Sequence, residues 1–104
     1  MPIVVTTYQL PEPMTLEEAQ LIFVSTAPKY LGVPGLFRKH YYLSEDRKTM
    51  GGIYFWDSRA DAEAMFTETW RAFMRDQYRT DPSITYFDSP VVVDNVLQGI
   101  FSDG

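Results

Sequence analysis

Gly51-Gly52-Ile53-Tyr54-Phe55-Trp56-Asp57-Ser58-Arg59 is the stretch that decides how this chain folds. Its β-branched and aromatic residues are those of a strand, and Ser58 with Asp61 three positions later is a carboxylate variant of the capping box that opens a helix. A strand that runs directly into a helix leaves Tyr54 and Trp56 at the strand's far end, where a small cavity is expected.

Reading outward, Ile3 to Leu10 is a first strand, ended by Pro11-Glu12-Pro13 because proline has no N–H for a ladder. Thr15 and Glu18 form a capping box, and Leu16, Ala19, Phe23, Ala27 and Tyr30 recur at steps of three and four along one helix face, with Pro28 bending or ending the helix. Gly32-Val33-Pro34-Gly35 is a turn cluster before a second strand from Leu36 to Ser44. The polar run 45–49 closes a hairpin onto the 51–56 strand. A second helix begins near Arg59 and carries Ala62, Met65, Phe66, Trp70 and Phe73 at helical spacing, with a break expected around Thr67–Thr69. Thr80-Asp81-Pro82-Ser83 stops it. Ile84–Phe87 is a last strand, interrupted by Pro90 and continued by Val91-Val92-Val93, and Leu97, Ile100 and Phe101 are spaced as in a short helical turn.

The order β-α-β-β-α-β is the ferredoxin-like split βαβ plan, an α+β fold whose four-stranded antiparallel sheet carries both helices on one face. Its other face then needs cover. Ile53-Tyr54-Phe55-Trp56 and Val91-Val92-Val93 are apolar at successive positions and therefore on both faces, which a half-exposed sheet does not show. The simplest cover is a second copy, so an obligate homodimer is expected, with an interface of about 2,000 Å² or more.

The 104 residues make a single domain, 1–104. Hydrophobic residues at 45% and aromatics at 15% support a packed core, and no apolar run is long enough for a membrane span. Met1-Pro2-Ile3-Val4-Val5 lacks the basic start of a signal peptide, and a cytoplasmic location is expected. The absence of cysteine excludes disulfides, thiol nucleophiles and cysteine metal sites, leaving His40 as the single imidazole. With a net charge of −5 and nine dispersed basic residues, nucleic acid is not an expected partner, and neither is a membrane.

Pro34-Gly35-Leu36 followed by Lys39 and Tyr41, then Gly51-Gly52-Ile53-Tyr54-Phe55-Trp56 running into Ser58-Arg59 and Ala62, with Trp70 and Pro90-Val91-Val92-Val93 downstream, resembles the YdhR-type monooxygenases. These belong to the dimeric α+β barrel group that also holds the antibiotic-biosynthesis monooxygenases. The resemblance implies two sheets packed into a barrel and a pocket between each sheet and its own helices. It also implies oxygenation of electron-rich aromatics such as anthrones without metal or flavin, while other members of the group bind or degrade haem. It assigns no catalytic residue here.

Side-chain period two puts Gly52, Tyr54 and Trp56 on one face. If Ser44 pairs with Met50, His40 lies opposite Tyr54 and Arg38 opposite Trp56, and a one-residue slip sends His40 to the other face. His40 is the natural base for a phenolic or enolic proton, although a lone strand histidine is more often a half-exposed interface or surface residue. Tyr54 is expected to hold a substrate oxygen. Arg38, Trp56, Phe66, Trp70 and Tyr86 are candidate substrate-binding residues, each also explained by core packing. Gly51-Gly52 lacks the lysine and serine of a phosphate loop and suits close approach of a neighbouring strand. Asp57 to Asp61 is explained by capping and the helix dipole, so no metal site is expected.

The leading expectation is a cofactor-independent monooxygenase acting on a small aromatic, phenol-like molecule. The alternatives are a small-molecule binding dimer without turnover and, third, a haem-binding or haem-degrading protein with His40 as ligand.

Overall fold

In the computed structural model, which describes residues 1–102, each expected element has a local cause in the sequence. The order is β1 (Pro2–Gln9), α1 (Leu16–Thr26), a 3-10 turn (Ala27–Tyr30), β2 (Leu36–Leu43), β3 (Thr49–Trp56), α2 (Arg59–Met65), α3 (Glu68–Tyr78), β4 (Ser83–Asp88), β5 (Val91–Asp94) and β6 (Gly99–Ser102). At the start of α1 the Glu18 N–H donates to Thr15 Oγ1 and the Thr15 N–H donates to Glu18 Oε1, each at 3.1 Å. Ser58 caps α2 by accepting from the Asp61 N–H at 3.1 Å, and Thr67 caps α3 by accepting from the Trp70 N–H at 3.2 Å. The break between these two helices falls at Phe66, whose ψ of 61° leaves the helical region. Pro28 tightens the end of α1 into the 3-10 turn.

The four long strands form one antiparallel sheet in the order β2-β3-β1-β4, the ferredoxin-like arrangement, with the helices on one face. That face holds the core. Val4, Tyr8, Met50, Tyr54 and Trp56 project from the sheet and meet Ala62, Trp70 and Met74 of the helices. Each large apolar side chain removed from water in this way contributes about 1.5–3 kcal/mol of transfer free energy.

Register is where the sheet departs from the expected pairing. Leu43, not Ser44, lies opposite Met50, and Lys39, not His40, lies opposite Tyr54. The cause is the hairpin turn, in which the Ser44 N–H donates to the Thr49 carbonyl at 2.8 Å and Arg47 takes a left-handed φ of 66°. Because side chains alternate, this slip of one residue turns His40 and Arg38 to the helix-free face, opposite Ile53 and Phe55. A bulge between Leu36 and Arg38 brings Leu36, not Arg38, opposite Trp56.

The chain after Pro90 also differs from expectation. Val91–Asp94 does not continue β4; it pairs with Gly99–Ser102 in a separate two-stranded sheet. Asp94 Oδ1 accepts from the N–H groups of Val96 and Leu97, both at 2.9 Å, and Gln98 takes a positive φ of 55°, so the segment turns as a hairpin instead of a helix. The helix-free face of the main sheet presents Ile3, Val5, Ile53, Phe55 and Phe87, and Phe87 is 50% exposed. Val91, Val93, Ile100 and Phe101 of the hairpin are exposed as well.

Candidate functional site

The helix-covered face of β2 and β3 gathers a set of aromatic rings around one amine. Gly52 is the floor. A Cβ there would meet Tyr54 Cε1 at 2.8 Å and Lys39 Cε at 2.9 Å, so its absence lets the Lys39 stem lie flat across the sheet. The Lys39 Nζ lies 3.4 Å from the ring centroid of Tyr30, 3.8 Å from that of Tyr41 and 4.7 Å from that of Tyr54. The 3-10 turn supplies Tyr30, and the tight end of α1 forced by Pro28 holds it in place.

The rings are themselves held. Trp70 Nε1 donates to the Tyr30 hydroxyl at 3.3 Å, and the hydroxyls of Thr26 and Tyr41 share a hydrogen bond of 2.8 Å. Phe23 stacks on Tyr41 at 4.7 Å. Phe66 meets Tyr54 and Trp70 edge-on, each at 4.9 Å. Thr6 Oγ1, fully buried, accepts from the Gly52 N–H at 3.0 Å and so pins the strand under the amine.

Burial governs the protonation of this cluster. It pushes the Lys39 ammonium down to about 7, with the nearby Lys29 ammonium adding to the shift. The tyrosine faces oppose this by favouring the cation. Burial pushes the Tyr54, Tyr8 and Tyr30 hydroxyls up, so all three stay neutral and able to donate. An open cleft of about 360 Å³ between the 3-10 turn and β2 reaches Tyr30, Lys39 and Tyr41. Behind it a void of about 10 Å³, bounded by Thr6, Tyr8, Tyr54 and Met74, has room for a single water.

Of the residues singled out from the sequence, Tyr54, Trp56, Phe66 and Trp70 come together on this face. Trp56 is fully buried and its Nε1 has no acceptor among the described residues. Tyr86 touches Phe66 at 6.4 Å but sits at the sheet edge under Arg59, whose Cζ is 4.3 Å from its ring centroid. His40 does not join them: it is exposed on the helix-free side, where it meets the edge of Phe55 at 5.9 Å. Arg38 is exposed and lies opposite Phe55, not Trp56, yet it also lines the cleft beside Lys39. The expected His-Tyr-Trp-Arg patch is therefore replaced by a lysine among tyrosines.

A strand lysine ordinarily points to solvent, so the residue type alone does not mark Lys39 as part of a site. The signal for it lay in the pleat, since Lys39 and Tyr41 share a phase that, in the observed register, faces Tyr54 and Gly52. A larger hollow of about 540 Å³ lies on the other side, between the helix-free face and the β5–β6 hairpin, among Ile3, Phe37, Phe55, Val91 and Val93. Its lining is mostly apolar, with Arg38 and Asp94 among it, and lacks the ring cluster. Among the described residues no group of three or more histidines, cysteines or carboxylates is placed to hold a metal ion, and no helix is long and apolar enough to cross a membrane.

The architecture has solved counterparts. A monooxygenase from the gene ActVA-Orf6 of Streptomyces coelicolor, in complex with nanaomycin D, superposes with a TM-score of 0.64 at 17% identity over 85% of this chain and 86% of that one. A Deinococcus radiodurans protein assigned as an antibiotic biosynthesis monooxygenase gives 0.66 at 12% identity over 90% and 97%. Rv0793 from Mycobacterium tuberculosis gives 0.58 at 15% identity over 86% and 95%. This is the fold of the antibiotic biosynthesis monooxygenases. At these identities the likeness to that group is one of fold alone. No family model matches the sequence, and no curated protein matches it either.

Proposed function

We propose that this chain is a YdhR-type member of the antibiotic biosynthesis monooxygenase group, working as a homodimer that oxygenates a small phenol-like aromatic without metal or flavin. The observation that carries the reading is the ring-lined cleft at Lys39, Tyr30 and Tyr41, backed by Tyr54, Phe66 and Trp70 on the same face. Supporting it are the shared fold and the aromatic ligand, nanaomycin D, held by one of its structural neighbours.

The chemistry asked of such a site is modest. Ring faces bind a flat aromatic, neutral tyrosine hydroxyls orient its oxygen, and a base removes the acidic proton so that the carbanion meets oxygen. For an anthrone, the CH₂ becomes C=O; one oxygen atom is retained and the other leaves as water with the two hydrogens. His40 lies opposite Ile53 on the helix-free face, so this reading gives it no part in proton removal within the cleft, and haem ligation there finds no support from it.

The test pairs binding with turnover. Nanaomycin D titrated against the protein is expected to quench Trp56 and Trp70 fluorescence, and anthrone to drive protein-dependent oxygen uptake that Tyr41→Phe, at a residue lining the cleft, reduces about tenfold or more. Quenching without oxygen uptake would leave the non-catalytic binding dimer as the correct description. Absence of both responses would overturn the reading.

A further inference from the structure

The chain has three lysines, Lys29, Lys39 and Lys48, and only Lys39 lies under the helices. Lys48 belongs to the polar hairpin turn, and Lys29 sits over the Phe73 ring at 3.6 Å on the exposed side of the 3-10 turn. A half-buried lysine kept for structure is commonly paired with a carboxylate. Lys39 has none. Among the described residues, the space around it is bounded by Thr6 and Tyr8 of β1, Thr26 of α1, Tyr54 of β3 and Met74 and Tyr78 of α3, and holds no Asp or Glu. The charged and titratable groups around it are Lys29 and Tyr30 from the 3-10 turn, Arg38 and Tyr41 from β2, Tyr54 from β3, Tyr8 from β1 and Tyr78 from α3.

We propose that Lys39 is a carbonyl-capturing amine, forming an imine with an aryl aldehyde that enters the cleft between the 3-10 turn and β2. The geometry supplies each requirement. Gly52 clears the stem, Tyr30 and Tyr41 line the cleft beside the amine together with Leu31, Leu36 and Phe37, and its volume of about 360 Å³ suits a molecule of one or two rings. Desolvation with a second ammonium nearby is a recognised way to activate a lysine nucleophile, and burial with Lys29 as neighbour brings Lys39 to about 7, so near neutral pH a large share of it carries a free lone pair.

The step balances without a co-reactant. The amine nitrogen attacks the carbonyl carbon, the carbonyl oxygen takes a proton released by nitrogen, and the carbinolamine loses water to leave C=N. No electrons are gained or lost, and hydrolysis returns the free amine. This activity is independent of the oxygenase reading, because it needs neither oxygen nor an acidic substrate proton.

The experiment uses benzaldehyde with sodium cyanoborohydride, which reduces the imine to a stable secondary amine, followed by peptide mapping of the whole chain. At pH 7 Lys39 is expected to be modified about tenfold or more faster than Lys48, since a lysine at its ordinary value is almost fully protonated there, and faster than Lys29, which burial also lowers but which lies outside the cleft. Its rate is expected to rise with a midpoint at about 7, and Lys29→Gln to move that midpoint upward. Modification of Lys39 no faster than Lys48 would overturn the proposal. So would a Lys39 that reacts with formaldehyde but not with benzaldehyde, because the cleft would then not admit a ring. The wild-type comparison among three lysines decides the matter without relying on a variant that must fold.

Discussion

Burial acts on Lys39 and on its tyrosine neighbours in opposite senses, and the pH dependence of stability follows from both. The Lys39 amine titrates near 7 when folded and near its ordinary 10.5 when unfolded, so between these values the unfolded chain binds the extra proton and stability rises with pH. The buried tyrosines have folded values above the ordinary 10, so their contribution is complete below about pH 10 and is lost as the unfolded chain ionises. Chemical denaturation from pH 6 to 11 is therefore expected to give stability that climbs above neutrality and turns down above pH 10. Lys39→Met is expected to abolish the climb and keep the downturn. An unchanged climb in that variant would place the titrating group elsewhere.

At the scale of the element, the two adjacent glycines of β3 have different jobs. A Cβ on Gly51 would strike the Thr6 carbonyl and meet the Tyr42 hydroxyl, which donates to that same carbonyl at 2.9 Å. Backbone cannot yield as a side chain can, so Gly51→Ala is expected to cost about 3 kcal/mol in urea denaturation, the upper end for overpacking. Gly52→Ala meets only side-chain atoms and is expected to cost less while displacing Lys39 and raising its pKa, read from the pH dependence of amine labelling. In α3, Thr67→Ala removes the cap under Trp70 and is expected to cost about 1 kcal/mol. Arg79 ends that helix in the left-handed region at φ 59°, so Arg79→Gly is expected to gain about 0.5–1 kcal/mol.

For the whole molecule, the uncovered sheet face is the feature with consequences. Ile3, Val5, Ile53, Phe55 and Phe87 form an apolar surface beside a hollow of about 540 Å³, and the β5–β6 hairpin stands next to it with exposed valines. Patches of that kind mark association surfaces. Native mass spectrometry is expected to give a dimer, and Phe55→Asp, which places a charge on that face, a monomer that retains the far-ultraviolet circular dichroism of the parent. A monomeric parent would remove the dimer from the proposed function while leaving the cleft at Lys39 intact.

Element order and helix boundaries were legible in the sequence because they rest on interactions within a few residues. Thr15 with Glu18, Ser58 with Asp61, Pro28 and the apolar spacing of β3 each act locally, and each element appears where they place it. The pairing of β2 with β3 was not legible, since it turns on whether Ser44 closes onto Thr49 or Met50, a choice made by the geometry of the turn around Arg47. The β5–β6 hairpin escaped for a similar reason, as the spacing of Leu97, Ile100 and Phe101 suits a helix while the Asp94 side chain favours a turn. What the sequence determined by itself was the α+β plan, the apolar character of both sheet faces and the aromatic richness of the interior. The tertiary structure alone decided which of two neighbouring residues, Lys39 or His40, entered that interior, because alternation in a strand converts a shift of one position into a change of face.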